Sequence, residues 1–189
     1  IHAEEPHSGG GIRAADPALT TVVVLPEEGT SSDSDDRLFP LLELATETDP
    51  ASMAVGLCTV TCELLDADAA ALIRLNGQGV AIGSPVIRTA DGQETKTPLE
   101  LPRQLIQAAL TSDRPRIALV EDGPSIIAVA IGDSDLPSAI LAASRPQTRP
   151  WKTEDLDLLA LIGNVGALLL ASADRMTHAS RTERLAAMG

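Results

Sequence analysis

Cys58 and Cys62 are the residues of this sequence best suited to covalent or redox chemistry, and their spacing of four puts both sulfurs on one face of a helix. Such a pair can serve as redox-sensing thiols, as half of a metal site, or as small apolar side chains in a core. A zinc or iron–sulfur centre needs further Cys or His ligands. The sequence has only these two cysteines and three histidines, His2, His7 and His178, none of which falls in the predicted core. No metal site is expected, haem lacks a proximal ligand, and packing is the expected role of the thiols. A second group, Arg88, Thr89, Asp91, Arg103, Gln104 and Arg116, has the polarity to line a ligand pocket, the competing reading being a solvated surface. Gly9 to Gly11 reads as linker, because no lysine and no helix follow to make a phosphate loop. The acidic run Asp33 to Asp36 lacks the spacing of a calcium loop and reads as a solvated tail.

Composition narrows the classes further. The 189 residues suit one domain with tails, and 44% hydrophobic residues are enough for a core. Aromatics are 1%, with Phe39 and Trp151 alone and no Tyr, so the stacking platforms that grip single-stranded nucleic acid and flat heterocycles are missing. A net charge of −13 would repel phosphate backbones and anionic bilayers. Neither nucleic acid nor direct membrane contact is expected; proteins and small molecules are. Two cysteines make no disulfide framework, which points to a reducing cytoplasm. No uninterrupted apolar run reaches the roughly 18 residues of a spanning helix, and the start at Ile1 suggests a piece of a longer protein.

These residues need elements to position them. Residues 1–36 read as flexible linker, except for the β-prone run Thr20 to Leu25, which fits either the last strand of a preceding domain or an added edge strand. Leu38, Leu41, Leu42 and Ala45 predict a short helix. Asp49 and Pro50 predict an N-cap and first helical position, with Met53, Leu57, Val60 and Leu64 as the apolar stripe of a helix to Leu65. Ala69 to Leu75, the turn Asn76-Gly77 and Val80 to Ile87 predict a hairpin. Leu101 to Leu110 predicts a short helix, and Arg116 to Val120, Ser125 to Ile131 and Ser138 to Ala143 predict three strands. Thr153, with Glu154 and Asp155, is expected to cap a long final helix. The order fits an α+β domain with one antiparallel sheet.

Over residues 37–173 the chain resembles a GAF domain, through the helix running into Leu64-Leu65-Asp66-Ala67-Asp68-Ala69-Ala70-Ala71-Leu72-Ile73, through Ser125 to Ile131 followed by Ala139 to Ala143, and through Trp151 to Leu156 opening the last helix. The resemblance implies a ligand-binding, dimerising sensor with a central antiparallel sheet. Ser138 stands where many members place glycine, and the absence of pocket aromatics speaks against bilin or nucleotide. Arg181 to Gly189 resembles the entry to the dimerisation helix of a sensor histidine kinase, whose phosphoacceptor histidine would follow; His178 lies upstream of it. This implies a non-catalytic sensory and dimerisation module of a two-component kinase, a homodimer with kinase domains in the same parent chain, and residues 174–189 as the signalling helix. The alternatives are a thiol redox sensor or cysteine-dependent reductase on this fold, and a ligand-free dimer scaffold.

The final helix supports pairing independently. Leu158, Ile162, Val165, Leu169, Ser172, Met176 and Ala179 step alternately by four and three, the expected seam with a second copy.

Overall fold

A computed structural model describes residues 21–23, 39–93, 99–133 and 136–187. The rest of the expected linker, with Gly9 to Gly11, Asp33 to Asp36, His2 and His7, lies outside them. The element order is β1 (Thr21–Val23), α1 (Phe39–Glu43) with a 3-10 turn at Leu44–Thr46, α2 (Pro50–Leu65), β2 (Ala69–Arg74), β3 (Val86–Thr89), α3 (Arg103–Leu110), β4 (Arg116–Leu119), β5 (Pro124–Asp133), β6 (Leu136–Pro146) and α4 (Thr153–Ala187). The strands form one antiparallel sheet in the order β1-β4-β5-β6-β2-β3. The α+β class and the long C-terminal helix are as expected, and Thr21–Val23 is an edge strand on β4.

Alternation along the strands sorts side chains onto two faces. Ala70, Leu72, Ile117, Ile127, Val129, Ile131, Ala139, Leu141 and Ala143 face α2 and α4. Ile73, Ala118, Ile126, Ala128, Ile140 and Ala142 face α3, which contributes Leu105 and Ala109. Both faces of the central strands are covered, so β5 and β6 read as nearly continuous apolar runs.

Local chemistry sets the elements. At the start of α2 the Asp49 carboxylate accepts from the Ser52 N–H at 2.8 Å and the Ser52 hydroxyl at 2.9 Å, with Pro50 at the first position. The helix ends at Asp66 in the left-handed region (φ 48°), a conformation Asp tolerates better than most L residues. α4 runs unusually close to its neighbours: a Cβ on Gly166 would lie 2.7 Å from Leu57 Cδ2 of α2, and one on Gly163 would lie 3.1 Å from Val129 Cγ1 of β5.

Three details differ from the expectation. The hairpin after β2 is looser: the Asn76 side chain and backbone close a turn to Val80, Leu75 bridges Ala81, and regular pairing resumes only at Val86. Gly79 and Gly83, both at φ +72°, together with Pro85, carry the chain outward between those points. β5 and β6 run longer than predicted, with a register shift at Ile131/Gly132, and Ser138 fits beside Gly132, donating its hydroxyl to Ile131 O at 3.2 Å. Thr153 is the first helical residue of α4 rather than its cap. The capping group is the Asp155 carboxylate, which reaches back to the Lys152 N–H at 2.9 Å.

Over Thr153–Ser180, α4 is long and apolar enough to cross a membrane by length and composition alone. Instead it buries Leu159, Ile162, Leu170 and Ala173 in the domain core.

Candidate functional site

The described residues between the sheet and α3 are aliphatic: Ile73, Leu75, Ile126, Ala128, Ile140 and Ala142 opposite Leu101, Leu105 and Ala109. Of the six polar candidates, two stand on this side of the sheet. Arg116 pairs with Ala128 and is half-buried at the border of this cluster, its side chain forming no hydrogen bond with the described residues. Thr89 shares a row with Ala69 and Ser144, and its hydroxyl is taken up by the Asp91 carboxylate and by Gln93 O at 3.1 Å.

The other four lie elsewhere. Arg88 pairs with Ala70, so it is on the α2 face, where its guanidinium bonds Ile87 O at 3.0 Å. Asp91 is exposed in the turn after β3, and the hydrogen bond from Thr89 holds its carboxyl below the usual range. Arg103 and Gln104 sit on the exposed side of α3. The expected set is therefore dispersed, because strand alternation places neighbours such as Arg88 and Thr89 on opposite faces.

Cys58 and Cys62 are buried under β3, with sulfurs 3.7 Å from Val86 O and 3.6 Å from Arg88 O. Burial pushes the Cys58 thiol up to about 12, with the neighbouring Cys62 adding to it, and the Cys62 thiol up to about 11. Both are protonated donors at neutral pH. The thiolate needed for nucleophilic or redox chemistry is scarce, and both sulfurs are on the sheet face opposite α3. No cluster of metal-ligating side chains occurs among the described residues.

The expected pairing seam divides. Ile162 is fully buried in the intramolecular core, while Leu158, Val165 and Leu169 are partly buried against it. The apolar side chains that α4 leaves in water are Leu168 at 73% exposure, Met176 at 49% and Leu161 at 36%. The sequence pattern could not separate these stripes, because α4 is apolar on two sides and a helical period does not say which side meets the sheet.

A group that sequence reasoning missed gathers at the root of α4. Arg145 on β6 is 7% exposed. Its Nε donates to Arg149 O at 2.8 Å, Nη1 to Leu65 O at 3.0 Å, and Nη2 to Pro150 O at 2.7 Å and Asp155 Oδ2 at 2.5 Å. The guanidinium lies 3.7 Å from the centroid of the Trp151 ring. Beside it Arg149 grips Asp66 at 2.8 Å and also the Asp68 carboxylate. Further along, Asp174 of α4 pairs with Arg74 of β2 at 2.6 Å. The available signal was an arginine closing an otherwise apolar strand shortly before the single tryptophan.

No family model matches the sequence, and no curated protein matches it. Solved structures do. The GAF domain of the cyanobacteriochrome TePixJ aligns over 69% of this chain and 94% of its own, with a TM-score of 0.54 at 16% identity. The fold is that of a GAF domain. The bacteriophytochrome RpBphP3 from R. palustris aligns over 89% of this chain with a TM-score of 0.59 at 10% identity, this chain spanning 45% of that one. A GAF domain assigned to a sensor histidine kinase from Pseudomonas syringae pv. tomato aligns over 78% of this chain and 93% of its own, with a TM-score of 0.50 at 18% identity.

Proposed function

We propose that this GAF chain is the sensory and dimerisation module of a cytoplasmic two-component histidine kinase, non-catalytic by itself, which relays a ligand- or partner-dependent signal through α4. The observation that carries the reading is the division of α4. Its 35 residues extend about 52 Å at 1.5 Å per residue. Residues up to Asp174 pack on or pair with the domain, the described remainder projects beyond it, and Leu161, Leu168 and Met176 stay uncovered. A second copy placed along that edge would bury them and continue as a two-helix rod. The likeness of Arg181 to Gly189 to a kinase dimerisation entry supports the downstream assignment.

The α3 face supplies the wall for a small, largely apolar ligand, with Arg116 at its border. Haem and bilin are not part of the reading: the described side chains of the α3 face include no histidine to ligate a haem and no thiol to attach a bilin. The protonated, covered thiols also weigh against the redox alternative.

Two measurements test the proposal. Native mass spectrometry of the purified chain should give a dimer and reveal any retained ligand by its added mass; a ligand-free dimer would favour the scaffold reading. In the parent protein, Leu168→Glu should alter autophosphorylation, whereas replacement of both cysteines by serine should not. Single chains at high concentration would refute the dimer, and a parent sequence continuing into another output domain would refute the kinase.

A further inference from the structure

We propose that Arg145 is a latch on the root of α4, and that its opening is the conformational step by which the α3 face of the sheet acts on the helix. The inference rests on the sensor reading above and adds the device that such a sensor needs. β6 joins the two faces through adjacent residues. Ser144 pairs with Ile126 and so faces the α3 side, whereas Arg145 faces α2 and α4 and holds the end of α2, the loop at 149–150 and the first turn of α4 together. A shift of β6 driven from the α3 side moves this guanidinium directly.

The closed latch is held against opposing costs. Four hydrogen bonds and the Trp151 stack favour closure. Against them stand the withdrawal of the Arg145–Asp155 charges from water, with side chains 7% and 20% exposed, and the Trp151 Nε1–H, which is buried with no acceptor among the described residues. Opening hydrates both. An element with large terms on each side is one that a modest input can shift.

Trp151 is the only tryptophan, so its fluorescence reports the latch in the intact chain. Asp155→Asn keeps the side-chain shape and removes the charge. It should shift the emission to the red and raise acrylamide quenching at least about fivefold, with amide exchange in β5 and β6 unchanged; a coupling of this size is ordinary for linked sites. Arg145→Lys, which loses the fork and the stack, should act in the same way. Ser144→Thr on the opposite face should alter Trp151 quenching in the native background and leave it unaltered with Asp155→Asn present.

Faster exchange spread evenly through α2, β5 and β6 would show a structural pin and overturn the latch. So would an unchanged Trp151 in Asp155→Asn, which decides the matter if Arg145→Lys does not fold, or a Ser144→Thr effect that is equal in both backgrounds. A native-mass dimer persisting through any of these results would leave the sensor reading standing while the latch falls.

Discussion

Leu168 and Ile162 separate the two ways of reading α4. Leu168 is 73% exposed in the single chain, so Leu168→Glu should change the unfolding free energy of a monomer by less than about 0.5 kcal/mol. If the exposed edge is the pairing seam, each copy loses the burial of most of a leucine side chain, about 1–2 kcal/mol, and a two-fold interface counts this twice. The resulting 2–4 kcal/mol raises the dimer dissociation constant by about 30- to 1,000-fold, before charge repulsion between the glutamates is added. Ile162→Ala should do the reverse: at 0% exposure in the core it should cost about 2–5 kcal/mol of folding stability and leave pairing of the folded chains nearly intact. Sedimentation equilibrium gives the first quantity and urea unfolding monitored at Trp151 the second, extrapolated to infinite dilution so that association does not enter the stability. A dimer equally tight with Leu168→Glu, or one abolished by Ile162→Ala in a chain that remains folded, would refute the argument.

Other outcomes follow from the thiols, the close helix contact and the α2 cap. Cys58 and Cys62 should react with a disulfide reagent at neutral pH only as fast as the domain opens, and label promptly in denaturant; fast labelling of folded protein would contradict their burial. Because their folded values, about 12 and about 11, lie above the ordinary 9.0, their contribution to stability is full below pH 9 and is lost as pH rises toward those values. The double Cys→Ala variant should therefore show a flatter alkaline limb in unfolding titrations. Gly166→Val should lower the thermal midpoint sharply, since its Cβ would meet Leu57 at 2.7 Å, and Leu57→Ala in the same chain should recover part of that loss. Hydrogen bonds from Ser52 hold the Asp49 carboxyl below its usual range, so its contribution is present above the unfolded value and fades as pH falls below it. Asp49→Asn should accordingly weaken the acid-side pH dependence of the thermal midpoint.

Elements with strong local signals were legible in the sequence. Asp49-Pro50 and its apolar stripe located α2 to the residue, and β4, β5 and β6 lay within a few residues of their predicted limits. The Asn76 turn is legible, but the delay of pairing to Val86 depends on Gly79 and Gly83 adopting positive φ, which composition does not reveal. The candidate site was less legible. Whether Arg88 or Thr89 faces α3 is decided by register against β2, a long-range fact, and a shift of one residue would exchange them. Arg145 is hard to read from sequence because its four acceptors are backbone carbonyls and an aspartate drawn from three separate segments, and no spacing rule collects such partners.

The last described residues of α4, from Arg175 to Ala187, amount to a lever arm about 20 Å long with its fulcrum at the Arg74–Asp174 ion pair. A rotation of about 5° at that pivot would sweep the far tip through about 2 Å, comparable with the helix displacements that accompany subunit switching. Angular motion too slight to disturb the packing of Leu159 or Ile162 would thus appear at the far end of the described helix as a translation of ångström size.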